Sequence, residues 1–581
     1  MEACKPEEQE ALSRNDEAND NGQKCFDNKK KGGWITFPFI TGTVMGLSLA
    51  TSGWTANMVV YAIEQYNMKE ITAAKLYNIS MGGMTFVNIL AAVFADSLFG
   101  SLSIFTVASF VSLLGVILFT LSATISSLRP LPCTTSSFIK CKLPTNQQQC
   151  FIYVTIALAA TGAGGTNFLL GTIGADQFPK SSEQQRIFFN WFLIANQLGK
   201  VIGYTVIVYL QNNVSWGLGY GIGVAANAVA IVVFLCGSCF YKRVMPRGGS
   251  PFTSIARVFV ASLRKMNKIV AENYDRNCYF YGISSSDVIN HQAPSNTLRF
   301  LNRAALKTMH KHEDANNSQK CTKSWSLCTV EEVEDLKRLI KVLPILSAGI
   351  VSSIIFTISS SLVVLQALVM DRSMGPHFKI PAGSMSIFIL ITTCIGISFL
   401  DRVIYPLLQK IANKSLTPLQ CIGVGYFLNV LSAVAFALVE MKRLNVVKSD
   451  HHMLEQPHAV SPMSVFWLVF PLALLGFSAA FDFSSLMRFY YQELPASLSN
   501  TAVAITSLQF ALGSYFGAVV LSVVQHTTSW LPDDINHGNI DYLYWMLSIL
   551  GLVSFIYYLV CAMFYKYNSY DSNSASLIED C

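Results

Sequence analysis

Twelve stretches of this chain are each long and apolar enough to cross a lipid bilayer. A spanning helix needs ~20 mostly apolar residues, because the hydrocarbon core is ~30 Å thick. The stretches are 36–62, 76–99, 102–126, 151–173, 187–210, 217–241, 340–369, 384–406, 416–439, 463–490, 499–525 and 541–566. Prolines punctuate the intervals, among them Pro130, Pro179, Pro376, Pro381, Pro457, Pro495 and Pro532. Of the 581 residues, 52% are apolar and 13% charged, against the ~25% charge of soluble domains. So little charge cannot clothe several water-facing cores. It excludes a disordered chain, a secreted disulfide scaffold and a water-soluble nucleic-acid binder.

The spacing divides six, long loop, six. It predicts a disordered cytosolic tail over 1–33, a six-helix bundle over 34–241, a linker over 242–339, a second six-helix bundle over 340–566 and a cytosolic tail over 567–581. Residues 1–33 lack the apolar run of a signal peptide, and Lys29, Lys30 and Lys31 sit just before the first span. The linker carries a large excess of Lys and Arg, which places it in the cytosol, and an even span count then places both termini there. One loop, 440–458, falls outside yet contains Lys442, Arg443 and Lys448, an exception to the charge rule. An all-α polytopic membrane protein of 12 transmembrane helices in two six-helix bundles has the layout of the major facilitator fold.

Two linker segments are expected to be helical. Residues 255–270 place apolar side chains at helical spacing with basic ones between them, suiting either an anionic lipid surface or plain solvent. A second helix is expected over 331–344, with Thr329 near its N-cap and Glu332 three residues on. Fourteen cysteines show no zinc-ligand spacing. Cys133, Cys141 and Cys150 share one loop on the non-cytosolic side, where a disulfide and free thiols are both open.

Polar atoms are costly inside a bilayer, so intramembrane polar residues form the functional shortlist. Span 1 carries Thr41, Ser48, Ser52 and Thr55 on one face, with Asn57 further on. Span 7 carries Ser352, Ser359 and Gln366; span 10 carries Ser478, Asp482 and Ser485; glycine-rich span 4 carries Asn167. Polar stripes on spans 1, 4, 7 and 10 suit a central aqueous cavity. The plain alternative is that the hydroxyls bond back to the preceding helical turn.

Two charges stand out. Lys200 lies fourteen residues beyond Arg186, ~21 Å deeper along a helix, and shares its face with Asn196, Gln197 and Tyr204. Asp482 lies near the middle of span 10, and Arg488 nearer its cytosolic end. Lys200 and Asp482 are expected to face one polar interior; the alternatives are a snorkelling lysine and a structural acid. All nine histidines fall in loops or at span ends, and no HExxH, P-loop, GxSxG or paired-carboxylate set occurs. The chain reads as no enzyme, with no cofactor and no metal.

The segment AAVFADSLFGS (91–101), with Asp96 and Gly100, resembles the second-span signature of the proton-coupled oligopeptide transporter family. GADQF (174–178), with Asp176, and FFNWFLIANQLG (188–199) resemble its span 4–5 signature. VLQALVMDRSMGPHFKIPAGS (364–384), DRVIYPL (401–407) and LTPLQCIGVG (416–425) resemble its plant branch, the nitrate/peptide transporters. KKGGWITFPFITGT near the start, SPFTS (250–254), LNRAAL (301–306) and SWLPDDINHG (529–538) resemble the nitrate-excretion subgroup. The resemblance spans roughly 33–566.

The resemblance implies an alternating-access transporter of small molecules in a plant membrane, the plasma membrane rather than the vacuolar one. It also implies what has been lost. The family's E-x-x-E-R proton-coupling motif aligns with Val44, Leu47 and Ser48, its span 4 lysine with Asn167, and its span 10 glutamates with Ala479 and Arg488. The histidine linked to nitrate on span 7 is absent. A less negative pathway favours an anion or a neutral solute over a peptide. The expected activity is movement of nitrate or another small anion, outward, with weak or no proton coupling. The alternative is a transporter of glucosides or alkaloid glucosides, for which Asn57 and Gln366 would suit sugar hydroxyls; a sensor that binds without transporting is a third reading. Candidate substrate or coupling residues are Lys200, Asp482, Asn57, Asn167, Gln197, Gln366, Arg488 and Ser48. Candidate gate or structural residues are Asp96, Gly100 and Asp176.

Overall fold

The structure, a computed structural model, describes residues 32–95, 99–131, 143–179, 183–242, 251–266, 279–281, 294–295, 297–306, 325, 327–412, 416–449, 459–493, 499–532 and 534–565. Among them twelve helices have the length and apolarity to cross a membrane. Spans 1 to 6 are Gly33–Glu64, Glu70–Phe94, Ser101–Thr124, Asn146–Ala175, Trp191–Asn213 and Trp216–Gly237. Spans 7 to 12 are Val330–Leu368, Ala382–Ile404, Pro418–Ser449, Val465–Tyr490, Ile505–Thr527 and Ile540–Phe564. Each predicted stretch has its helix. Their solvent-exposed sides carry residues such as Val107, Phe110, Val229, Ile549 and Val553, the surface that hydrocarbon covers in a protein of this composition.

Contacts divide the chain into two units. One gathers the described residues of Met1–Ala73, Phe86–Pro246 and Lys379–Ile387; the other those of Ala74–Thr85, Arg247–Phe378 and Phe388–Cys581.

In the first unit, small residues let helix backbones touch. A Cβ on Gly162 of span 4 would collide with the Ser112 backbone of span 3, and one on Gly115 with Ala159. This small-residue seam is the usual device for close helix approach where water supplies no hydrophobic drive. An apolar cluster unites Ile40, Val44 and Leu47 of span 1 with Phe105, Leu170, Phe188 and Phe234. A second, aromatic cluster stacks Trp54 on Phe119 and sets Tyr61 edge-on to Tyr220. The Tyr61 and Ser122 hydroxyls share a hydrogen bond of 2.7 Å.

In the second unit, span 9 packs between spans 10 and 12, and span 7 lies along span 11. A two-strand parallel ladder joins Met370–Asp371 to Ser461–Ser464. The linker helix Pro251–Arg264 is neither simply solvated nor simply a surface helix. Val258 and Ala261 are buried in a small core with Leu301, Ala304, Val333 and Leu336. Lys265 Nζ, also buried, donates to the Ala304 and Leu306 carbonyls at 3.1 and 2.8 Å. Phe259, Leu263 and Met266 stay exposed on another face of the helix. Cys133 and Cys141 lie outside the described residues, and Cys150 is an exposed free thiol.

Span 7 starts ten residues before the predicted stretch, because the linker core extends it. Its capping box forms as the sequence suggests. Thr329 N donates to Glu332 Oε2 at 3.1 Å, and Glu332 N to Thr329 Oγ1 at 3.2 Å. Thr329→Ala is expected to cost ~1 kcal/mol. Measured by hydrogen exchange, the amides of Val330–Val333 should exchange about fivefold faster, the rate factor that this energy implies.

Candidate functional site

Span 5 carries the candidate cation. Its Gly199 and Gly203 let it lie close on span 1: a Cβ on Gly199 would press on Met45 O, and one on Gly203 on Ser52 Oγ. That closeness brings Ser48 Oγ within 2.6 Å of Asn196 Oδ1, the hydroxyl donating. Lys200, one turn beyond Asn196, is half-buried and engaged, as is Gln197. Span 5 then widens into a π-helical turn over Gly203–Ile207, a device frequent at functional sites.

The other polar residues of span 1 serve packing. Thr41, Ser52 and Thr55 donate to the carbonyls of Phe37, Ser48 and Thr51, four residues back. Asn57 is buried where span 1 breaks between Thr55 and Met58. Its Nδ2 donates to Gln211 Oε1 at 3.1 Å and to Asn212 Oδ1 at 2.6 Å. Val44 and Leu47 are core side chains of the apolar cluster. Asn167 is exposed on span 4.

Two gate candidates meet. Gly100 caps the start of span 3 with φ +76°, a left-handed conformation that glycine adopts without strain. Asp176 caps the end of span 4. Both line one cavity of about 440 Å³ with Ser101, Thr106, Gln177 and Lys242. Gln177, missed in the sequence although it stands inside GADQF, ties this cavity to the end of span 6. Its Oε1 accepts from Lys242 N at 2.8 Å and its Nε2 donates to Ile173 O at 2.8 Å. Asp96 lies outside the described residues. A larger groove of about 580 Å³, between Leu419, Phe427, Phe555 and Met563, is mostly apolar and holds no candidate residue.

In the second unit the span 7 stripe turns toward span 9. Asn429 Nδ2 donates to Ser352 Oγ at 2.7 Å. Gln366 Nε2 donates to Glu440 Oε2 at 2.8 Å, and Tyr544 Oη to Gln366 Oε1 at 3.2 Å. Glu440 and Arg443 form an ion pair of 2.6 Å with both side chains 0% exposed. Arg443 Nη1 also donates to Asn536 Oδ1 at 2.6 Å. This pair was not anticipated, because span 9 runs on to Ser449 instead of stopping at 439. It corrects the reading of 440–458 as a loop: residues 440–449 are helical, and two of its basic residues, Arg443 and Lys442, are engaged. Arg443 is half of a neutral, buried pair, and Lys442 Nζ sits 3.6 Å over the Trp467 ring. The E-x-x-R spacing at the edge of an apolar stretch was the available signal.

Span 10 presents Asp482 partly exposed, but with its Oδ1 buried. Gly425 of span 9 lies against it, where a Cβ would come within 3.1 Å of Asp482 Cβ. Ser478, one turn earlier, donates to Gly425 O at 2.8 Å. Arg488 is exposed and engaged. Lys200 belongs to the first unit and Asp482 to the second.

Comparison with known proteins follows the same pattern. The model of the POT family (PTR2) matches residues 102–537. The chain is 42% identical over 545 residues to Protein NRT1/PTR FAMILY 2.3 of Arabidopsis thaliana, covering 94% of this chain and 95% of that one. It is 43% identical over 544 residues to NRT1/PTR FAMILY 2.6 of the same plant, with the same coverage of each chain. Its fold is similar to a crystal structure of an auto-inhibited POT family peptide transporter, with a TM-score of 0.68 and 18% identity over 92% of this chain and 98% of that chain. It is likewise similar to the POT family transporter PepTSo, with a TM-score of 0.66 and 16% identity over 91% and 98% of the two chains.

Proposed function

We infer the cargo from one premise: this chain belongs to the POT family of transporters. It is an integral membrane transporter of small molecules and not an enzyme. On our reading it moves nitrate or another small anion by alternating access across a plant plasma membrane, outward and with little or no proton coupling. Its two bundles are 34–241 and 340–566, with 242–339 as the linker and both termini cytosolic.

The observation that carries this reading is the fate of span 1. The positions that align with the family's proton-coupling motif are filled by Val44 and Leu47, both buried in an apolar cluster, and by Ser48, bonded to Asn196. No acid stands between Phe37 and Thr55. A pathway that keeps Lys200 while losing those acids favours negative cargo. Leaving an inside-negative compartment then releases ~2.3 kcal/mol per charge per 100 mV, so exit needs no proton. Of the two amides that would suit a glucoside, Gln366 is engaged at both ends by Glu440 and Tyr544, and Asn57 gives its Nδ2 to Gln211 and Asn212 while its Oδ1 stays unpartnered among the described residues. The glucoside reading is thereby left with less to favour it than the anion reading.

Flux into and out of vesicles holding the purified chain tests the reading, with nitrate, chloride, a dipeptide and a glucoside compared at two pH values and two potentials. Potential-driven nitrate flux that ignores pH supports it; dipeptide uptake driven by a proton gradient overturns it. Lys200→Ala is expected to lower nitrate flux about tenfold, the worth of one charge-assisted contact of ~1.5 kcal/mol. Lys200→Arg should keep most of it. Flux unchanged by Lys200→Ala removes this lysine from the pathway.

A further inference from the structure

Five oxygen atoms of the second unit share an unusual condition. Asp482 Oδ1, Ser485 Oγ, Tyr426 Oη, Tyr490 Oη and Gln509 Oε1 are buried and have no hydrogen-bond partner among the described residues. They come from three helices, spans 9, 10 and 11. Ser485 lies one turn after Asp482 on span 10, so the two share a face. Tyr426 follows Gly425, the glycine on which Asp482 packs. Tyr426 and Tyr490 both lie within electrostatic reach of Asp482, and the Gln509 amide adjoins the Tyr426 phenol without completing a hydrogen bond. Four of the five side chains are almost wholly buried: Tyr490 at 0%, Ser485 at 2%, Tyr426 and Gln509 at 3% exposed.

Buried polar atoms are nearly always partnered, and a buried carboxylate needs a compensating charge. Asp482 forms no ion pair among the described residues. The nearest basic residue along its own helix, Arg488, is six positions on and exposed. A proton would neutralise Asp482, and the Ser485, Tyr426 and Tyr490 hydroxyls carry protons of their own, yet none of the five oxygens is paired among the described residues. A cation beside Asp482 would supply the missing counter-charge and offer the neighbouring oxygens a common partner. The donor set contains oxygen alone, which argues against zinc, copper and iron, whose sites draw on nitrogen and sulfur. It offers a single formal negative charge, where calcium sites gather several carboxylates.

We propose that Asp482, Ser485, Tyr426, Tyr490 and Gln509 form a binding site for one alkali-metal cation inside the second unit. The site extends the coupling role considered for Asp482 by naming the ion. Partial exposure of Asp482 supplies the way in, and occupation converts five orphaned oxygens into ligands. The site is independent of what the anion cargo is.

Thermal unfolding of the full chain in lipid nanodiscs tests this, in sodium, potassium or choline chloride at equal chloride concentration. The unfolding temperature is expected to rise by several degrees in sodium or potassium over choline, saturably. Asp482→Asn should abolish the rise. Ser485→Ala and Tyr490→Phe should shift half-saturation at least threefold upward, and they decide the matter if Asp482→Asn does not fold. Superimposed curves in all three salts overturn the proposal, as does a rise that survives Asp482→Asn. An Asp482→Asn chain more stable than the natural one, with neither responding to cations, identifies a packed protonated acid and also overturns it. Chloride is constant throughout, so this failure leaves the anion reading standing, and failed nitrate flux leaves the cation site standing.

Discussion

Arg443→Ala is expected to destabilise the protein by about 3–5 kcal/mol, the usual result of stripping one partner from a buried ion pair. Glu440 and Arg443 are both 0% exposed, so the carboxylate left behind has no route to water. Its neighbours cannot replace the lost charge. Gln366 already donates its Nε2 to Glu440, and Asn536 Oδ1 would lose the Arg443 guanidinium it accepts from. Replacing both charges, as in Glu440→Gln with Arg443→Met, should recover most of the loss, because neutral groups of similar size need no counter-charge. Denaturant unfolding of Arg443→Ala, Glu440→Gln, Arg443→Met and the double variant measures this coupling. Equal losses in Arg443→Ala and the double variant would mean that packing, not charge, holds this region.

The second large effect is expected at Gly162, in the seam between spans 3 and 4. Even one methyl group there meets the nitrogen and Cα of Ser112. Backbone cannot rotate away as a side-chain tip can, so the helices must part. Ser112 is held in turn by Asn227 of span 6, whose Nδ2 donates to its hydroxyl at 2.9 Å. Gly162→Ala is expected to cost about 3 kcal/mol or more, the upper end for overpacking, and Gly162→Leu to abolish the monodisperse peak in size-exclusion chromatography. Gly221 of span 6, with nothing within 4 Å of an added Cβ, is the control. Gly221→Ala should be neutral or stabilising by up to ~1 kcal/mol, through helix propensity. Loss of both variants alike would point to glycine flexibility instead of close approach.

The spans were legible because the bilayer imposes length and apolarity on each of them separately, and neither property depends on neighbours. The Thr329–Glu332 capping box was legible for the same reason: it is local. What periodicity cannot say is which neighbour a polar face meets. Ser352 and Gln366 repeat on one face of span 7, as read, yet they meet Asn429 and Glu440 of span 9. The same limit hid the Glu440–Arg443 pair. It needs span 9 to continue through charged sequence to Ser449, and that continuation is secured by partners far along the chain, Gln366 and Asn536. Hydroxyls on span 1 show the converse. Their back-bonds to carbonyls four residues earlier are a local habit, readable in advance as the plain alternative. Lys200 was identifiable by depth alone, but the close approach of its helix to span 1 depends on Gly199 and Gly203 acting together.

Span 7 has 39 residues, a rod of ~58 Å at 1.5 Å per residue. That is nearly twice the ~30 Å of hydrocarbon it crosses. The surplus is packed into the linker core through Val333 and Leu336. Pro344 lies inside this continuous helix, fourteen residues beyond Val330, and proline is a common site of helix kinks. The linker core is therefore a pointer fixed to the extended end of span 7. Any tilt of span 7 sweeps the pointer through an arc outside the bilayer, and a grip on the pointer brakes the tilt.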